Sequence, residues 1–239
     1  MAQLATPQPA STVVLARPDK HGAFEIFMNR RPEKMDTYAG VYVFPGGRVE
    51  AGDWSENTLK LMKGISPSEA QNILKSELEP RRCLGHWVAA ARELFEEAGI
   101  HMFESQSGFD SSSKVGDLFA RVAEKRSALQ LGELDFSSLL MSENLVCDLG
   151  RLSYFFHRVT PEHYPTRFDT RFYLAALPPY QSPLHVSEEV AESLWISPEA
   201  ALERHQSGNF PMMPPTIAVL HILLDQCTWG QLCNTFRLL

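Results

Sequence analysis

Three acids and a glycine turn carry the chemistry this chain has to offer. Glu93, Glu96 and Glu97 stand at i, i+3 and i+4 in Arg92-Glu93-Leu94-Phe95-Glu96-Glu97. On an α-helix those positions share one face, because residues three and four apart are neighbours. Three like charges so close repel one another unless a cation sits among them. Hard carboxylate oxygens suit Mg²⁺ or Mn²⁺. Upstream, Phe44-Pro45-Gly46-Gly47 makes a turn where backbone can come close to such a cation. The pair reads as a divalent-metal site for phosphate chemistry. A lone Glu-x-x-Glu-Glu is more often a solvated helix face. The glycine turn, Arg92 and a closing Gly99 in register are separate requirements that favour the metal reading.

The elements that must position these groups follow from local pattern. Thr12 to Ala16, Phe24 to Asn29 and Gly40 to Phe44 have the β-branched and aromatic content of strands, after a loose leader over residues 1–10. Ser66-Pro67-Ser68-Glu69 supplies a cap, a proline at the first helical position and an acid at the third, which predicts a helix to about Leu78, stopped before Pro80. Trp87 to Ala98 is the acid-bearing helix, with Gly99 placed to close it in the left-handed conformation. Residues 105–113 read as a loop, 115–131 and 137–145 as helices, Leu152 to Val159 and Arg171 to Ala176 as strands, and Pro198 to Gln206 and Thr216 to Leu224 as helices. Strands and helices mix without a regular βαβ rhythm, which predicts α+β architecture.

Composition narrows the function classes. With 239 residues and 44% hydrophobic content the chain can bury a full core, and one enlarged domain is expected. A net charge of −7 with no basic run argues against nucleic-acid binding. An anionic substrate then needs a local cluster of cations together with the metal. Cys83, Cys147, Cys227 and Cys233 lack paired CxxC spacing, which fits reduced thiols in the cytoplasm rather than a zinc or disulfide framework. No apolar stretch reaches membrane length, the first residues lack a secretory pattern, and Phe236-Arg237-Leu238-Leu239 is not a Ser-Lys-Leu address.

The two motif halves resemble the Nudix box, Gx5Ex7REUxEExGU, with U a bulky aliphatic. Gly47 matches its first glycine, Asp53 stands at its first acid, and Arg92 to Ile100 match its entire second half. The chain departs from the box in carrying Asp53 in place of glutamate and residues 54–91 in place of a short spacer. Such an interrupted box is similar to that of the peroxisomal coenzyme A diphosphatase branch of animals. Arg30-Arg31, Gly40 and Phe44-Pro45-Gly46-Gly47 echo a pattern upstream of the box in coenzyme A-cleaving members, although Met35 replaces its second arginine. Thr166 to Tyr173 and Pro214-Pro215-Thr216 look like the same branch.

The resemblance implies a Nudix-type α/β/α sandwich, a mixed sheet between helices, with a helical insertion over residues 54–86 inside the box. It implies an Mg²⁺- or Mn²⁺-dependent hydrolase of a small-molecule nucleoside diphosphate derivative. The metal ligands would be Glu93, Glu96, Glu97 and the Gly47 carbonyl, with Arg92 and Asp53 orienting them. Arg30, Arg31, Arg48, Phe44 and Gly46 are the substrate-binding candidates. Coenzyme A or an acyl-CoA leads as substrate; ADP-ribose, a dinucleotide or a sugar nucleotide is the alternative, and a nucleotide-sensing module without turnover is the alternative class. The general base is Glu93, or else Glu188, Glu189 or Glu192. Asp53 could also be an ordinary turn residue, and the three arginines plain surface charges. His86 and His101 have no partner at ligand spacing and read as structural. Tyr154, Phe155, Phe156 and Phe172 could stack an adenine, with strand core the blander reading. The insertion is either a lid or a surface helix.

Overall fold

The structure is a computed structural model that describes residues 5–34, 39–106, 112–184 and 191–238. Its strands are β1 (Gln8–Pro18), β2 (Phe24–Arg30), β3 (Tyr42–Val43), β4 (Gly46–Arg48), β5 (Met62–Lys63), β6 (Phe103–Ser105), β7 (Leu145–Asp148), β8 (Ser153–Val159), β9 (Phe168–Ala176) and β10 (Glu192–Ile196). Its helices are α1 (Glu56–Leu59), α2 (Pro67–Leu74), α3 (Pro80–Ala98), α4 (Ser112–Gln130), α5 (Phe136–Ser142), α6 (Pro198–Gln206), α7 (Pro214–Leu224) and α8 (Trp229–Phe236), with short 3-10 turns at Ala51–Trp54 and Leu149–Arg151.

The main sheet runs β10-β2-β1-β9-β8, with β3 added to β2 and β4 to β1. Among the described strands of this sheet, β1 and β9 pair in parallel and the other pairs are antiparallel, so the sheet is mixed. β1 is central and covered on both faces, which explains its continuous apolar run. Val13 and Leu15 pack on one side with α3, and Val14 and Ala16 pack on the other with α6 and α7. Strand alternation thus sorts one sequence into two cores. The result is the mixed sheet between helices that the resemblance implies. Among the described residues no helix is long and apolar enough to cross a membrane.

Several boundaries differ from the sequence reading. Residues 8–10 belong to β1 rather than to a loose leader, and the Gln8 amide donates to the Arg167 carbonyl. Pro80 does not follow a helix end; it occupies the first turn of α3, where its missing N–H is harmless, so the acid-bearing helix starts well before Trp87. α2 ends earlier, at Lys75 in the left-handed region. The 137–145 helix stops at Ser142 and Leu145 opens a strand. β10 and α8 were not read at all, although Thr228 and Gln231 form a capping box that marks the start of α8.

The 54–86 segment is not purely helical and not detached. β5 pairs with β7 in a separate three-stranded sheet, and Leu61 and Ala70 lie in the core beside α3. A flap over the substrate would leave such side chains exposed part of the time. Ala70 is fully buried, so Ala70→Leu should overpack the α2–α3 contact and cost about 1–3 kcal/mol of unfolding free energy. Urea denaturation checks this; an unchanged midpoint would restore the detached-flap view.

Candidate functional site

α3 carries the acids, and its local sequence explains its placement. Ala89, Ala90 and Ala91 are buried and small, which lets the helix lie close on the sheet. Gly99 ends it at φ +69, donating its N–H to Phe95, as the sequence predicts. A Cβ there would also meet Leu184 at 2.9 Å. Arg92 lies one turn from the middle of the acid face and is buried.

Arg92 forms a five-bond junction. Its Nε and Nη2 donate to the two oxygens of Asp53 at 2.9 and 3.0 Å. Nη2 also donates to the Arg48 carbonyl at 2.9 Å, and Nη1 donates to Glu93 at 2.8 Å and Glu96 at 3.2 Å. Asp53 in turn accepts from the Glu50 amide at 2.8 Å. Residue 53 is therefore more than a turn former: it ties the glycine loop to the box helix through a buried, bidentate pair. Burial works against a charged guanidinium, but these carboxylates hold Arg92 protonated, above its ordinary value.

Gly46 and Gly47 complete the junction at the β4 edge. A Cβ on Gly46 would fall 2.5 Å from the Ser11 carbonyl, and one on Gly47 would run into the Glu93 carboxyl. With no side chains there, the Gly46 N–H reaches Glu97 Oε2 at 3.0 Å. Burial pushes the Glu93 carboxyl up to about 7, Arg92 pulling it down and Glu96 adding to the rise. Glu96 is also raised by burial.

Among the described residues no three His, Cys, Asp or Glu side chains converge as a metal-holding group. Glu93 and Glu96 are turned toward Arg92, and Glu97 toward the Gly46 amide. The donor set still fits a hard divalent cation. Three carboxylates share one helix face, one is held near neutrality by burial, and a side-chain-free backbone lies against it.

A cavity of about 700 Å³ adjoins this junction, a size ordinary for small-molecule sites. Glu97, Gly46, Gly47, Arg48, Arg31 and Phe44 line it. Arg30 does not. It ends β2, donates to the Gly40 carbonyl and pairs with Glu33 at 2.6 Å, while Arg31, the next residue, faces the cavity. Glu192 lies on β10 and accepts from the Tyr42 hydroxyl, away from the cavity lining; Glu188 and Glu189, like Met35, lie outside the described residues. Phe172 lines the cavity, whereas Tyr154 packs on Trp87 and Tyr173, and Phe155 on Phe236. Pro214-Pro215 opens α7 as expected and also forms cavity wall. His86 and His101 are buried, and burial lowers them to about 3 and about 4, which fits neutral structural roles.

Sequence reasoning missed Arg158, His163 and Tyr164 of the far wall, from β8 and the loop after it, while Phe168 on β9 lies in the Thr166 to Tyr173 stretch noted by resemblance. No local signal marks those three, because β9 reaches β1 by a long-range parallel pairing.

Comparison with known proteins adds an independent line. A family model described as the NUDT19 Nudix domain matches residues 4–223. The chain is 29% identical over 224 aligned residues to the acyl-coenzyme A diphosphatase NUDT19 of Gallus gallus, covering 80% of this chain and 59% of that protein. It is 28% identical over 149 residues to the putative nudix hydrolase 7 of Caenorhabditis elegans, covering 62% and 47%. The chain thus spans only about half the length of the curated relatives it matches. A crystal structure of a Nudix hydrolase from Alicyclobacillus acidocaldarius is similar at a TM-score of 0.72 and 27% identity, covering 95% of this chain and 96% of that one.

Asp53→Asn leaves the buried Arg92 charge short of its main partner and should cost about 3 kcal/mol of stability. Chemical denaturation reads the difference. A loss well below 1 kcal/mol would mean that Asp53 is only a turn residue.

Proposed function

The chain belongs to the Nudix family, in the group described by the NUDT19 Nudix domain, and from that membership we propose a divalent-metal-dependent hydrolase of a nucleoside diphosphate derivative. It acts as one Nudix hydrolase domain on a small molecule, with no nucleic acid or membrane as substrate. The leading substrate is coenzyme A or an acyl-CoA, cleaved to adenosine 3′,5′-bisphosphate and a phosphopantetheine. The relative named as an acyl-coenzyme A diphosphatase supports that choice. The single observation that carries the reading is the Arg92 junction, which gathers the box acids and the glycine loop beside one cavity.

Glu93, Glu96, Glu97 and the Gly47 carbonyl would hold Mg²⁺ or Mn²⁺. When bound, such a cation neutralises charge on the diphosphate and makes water a better nucleophile. The chain's own residues supply the rest. Arg92 keeps Glu93 and Glu96 in register, and the Gly46 amide fixes Glu97. Arg31 and Arg48 line the cavity and offer phosphate contacts through their planar donor forks. Glu93 would be the base, the box acid that Arg92 Nη1 holds at 2.8 Å. A sensor without turnover is disfavoured, since Glu93, Glu96 and Glu97 are all present.

Glu97→Gln should lower turnover of coenzyme A by a factor of hundreds, as loss of a charge-stabilising group does. Near-normal rates under saturating Mg²⁺ would remove Glu97 from the site. A second expectation follows from Glu93. Its folded value, about 7, exceeds the ordinary 4.5, so the native state binds the proton more tightly. Without divalent cation, this group's contribution to stability is therefore lost as pH rises from about 4.5 to about 7. His86 and His101 slope the opposite way, because burial lowers both. The difference between wild type and Glu93→Gln isolates the Glu93 term, and Mg²⁺ should flatten it. Identical melting curves against pH for the two proteins would count against this assignment.

A further inference from the structure

The cavity floor is a strip of the sheet whose register is known. Arg48 on β4 pairs with Ala10 on β1, Ala10 with Thr170 on β9, and Thr170 with Arg158 on β8. All four residues line the cavity. Adjacent strands lie about 4.8 Å apart, so the two arginines stand roughly 14 Å apart, backbone to backbone, at opposite edges of one row. The residues between them are small, which leaves the space above the row open.

The charge at this row is positive. The protein carries a net −7, yet Glu97 is the sole carboxylate lining the cavity among the described residues. Arg48 and Arg158 make no ion pair among the described residues. The wall next to Arg158 is also built rather than loose. Arg167 donates to the Thr160 and Ala5 carbonyls, and the Phe168 amide donates to Thr160 Oγ1. Two uncompensated guanidiniums on one cavity floor match a ligand with two separate anionic groups.

We infer that Arg158 is a specificity-determining residue that binds a second phosphate of the substrate, remote from the diphosphate held at the Arg48 and Glu97 side. The substrate class narrows to nucleotides carrying a phosphomonoester in addition to the diphosphate. This deepens the hydrolase reading and rests on it for the placement of the diphosphate. The recognition itself is a binding property and can be tested without turnover.

The test is calorimetric titration of the full chain with adenosine 3′,5′-bisphosphate and with 5′-AMP, which differ by one phosphate. Wild type should bind the bisphosphate at least tenfold more tightly. Arg158→Ala should bring the two within about twofold by weakening the bisphosphate alone, and Arg158→Glu should reverse the preference. Arg48→Ala should weaken both nucleotides. Arg158 is exposed, so melting temperature should not move. Equal binding of the two nucleotides by wild type, equal weakening of both in Arg158→Ala, or a preference that survives it would each overturn the inference. Parallel assays with coenzyme A and dephospho-coenzyme A separate the two claims. Cleavage of both with a preference indifferent to Arg158 sinks this inference and spares the hydrolase reading; no cleavage with an Arg158-dependent binding preference does the reverse.

Discussion

A guanidinium buried inside a protein has to be compensated there, and Arg92 meets that demand with Asp53 and a carbonyl from the glycine loop together with two acids of its own helix. Taking one charge out of water costs several kcal/mol, so a lone buried Arg92 would be ruinous to stability. Its donors are filled by Asp53, Glu93, Glu96 and the Arg48 carbonyl. That requirement fixes where the glycine loop lies against α3, and hence where Gly46 and Gly47 meet Glu97 and Glu93. A well-packed apolar cluster could stabilise the fold as much. What the ion pair adds is a specified position for three carboxylates that would otherwise repel one another.

The same requirement explains why the long insertion is tolerated. Asp53 and Arg92 need proximity in space, not in sequence. Residues 54–91 leave the loop and return as the first turns of α3, and on the way Leu61 and Ala70 are used as core. Loop closure costs grow slowly with length, so the box survives interruption provided the inserted chain buries its own apolar groups. The separate pairing of β5 with β7 meets the backbone demand of the segment.

How much of this was legible in the sequence depended on how local the cause is. The box helix, its acids and Gly99 were readable because helical spacing and the left-handed cap act within a few residues. Its start was misplaced because Pro80 reads equally as a stop or as a first helical residue. Arg31 and not Arg30 lines the cavity, a choice made by strand alternation at the end of β2, where a one-residue difference swaps faces. Asp53 was placed by resemblance, and its bidentate pair with Arg92 needed the structure. Phe168 fell within a stretch placed by resemblance, whereas Arg158 carried no signal, since only the β8–β9 and parallel β1–β9 pairings bring it to the glycine loop. β10 was missed because Leu194 and Trp195 form too short an apolar run to stand out from the preceding loop.

The central claim is that the acids gathered by Arg92 serve metal-dependent cleavage of a diphosphate. Its most direct test is mass-spectrometric identification of products from coenzyme A, acetyl-CoA, ADP-ribose, NADH, diadenosine polyphosphates and UDP-glucose, each incubated with the protein and Mg²⁺ or with a chelator. The account predicts adenosine 3′,5′-bisphosphate and the matching phosphopantetheine from the coenzyme A substrates, abolished by chelation. Product formation that ignores the chelator, or intact substrates across the whole panel, would contradict it.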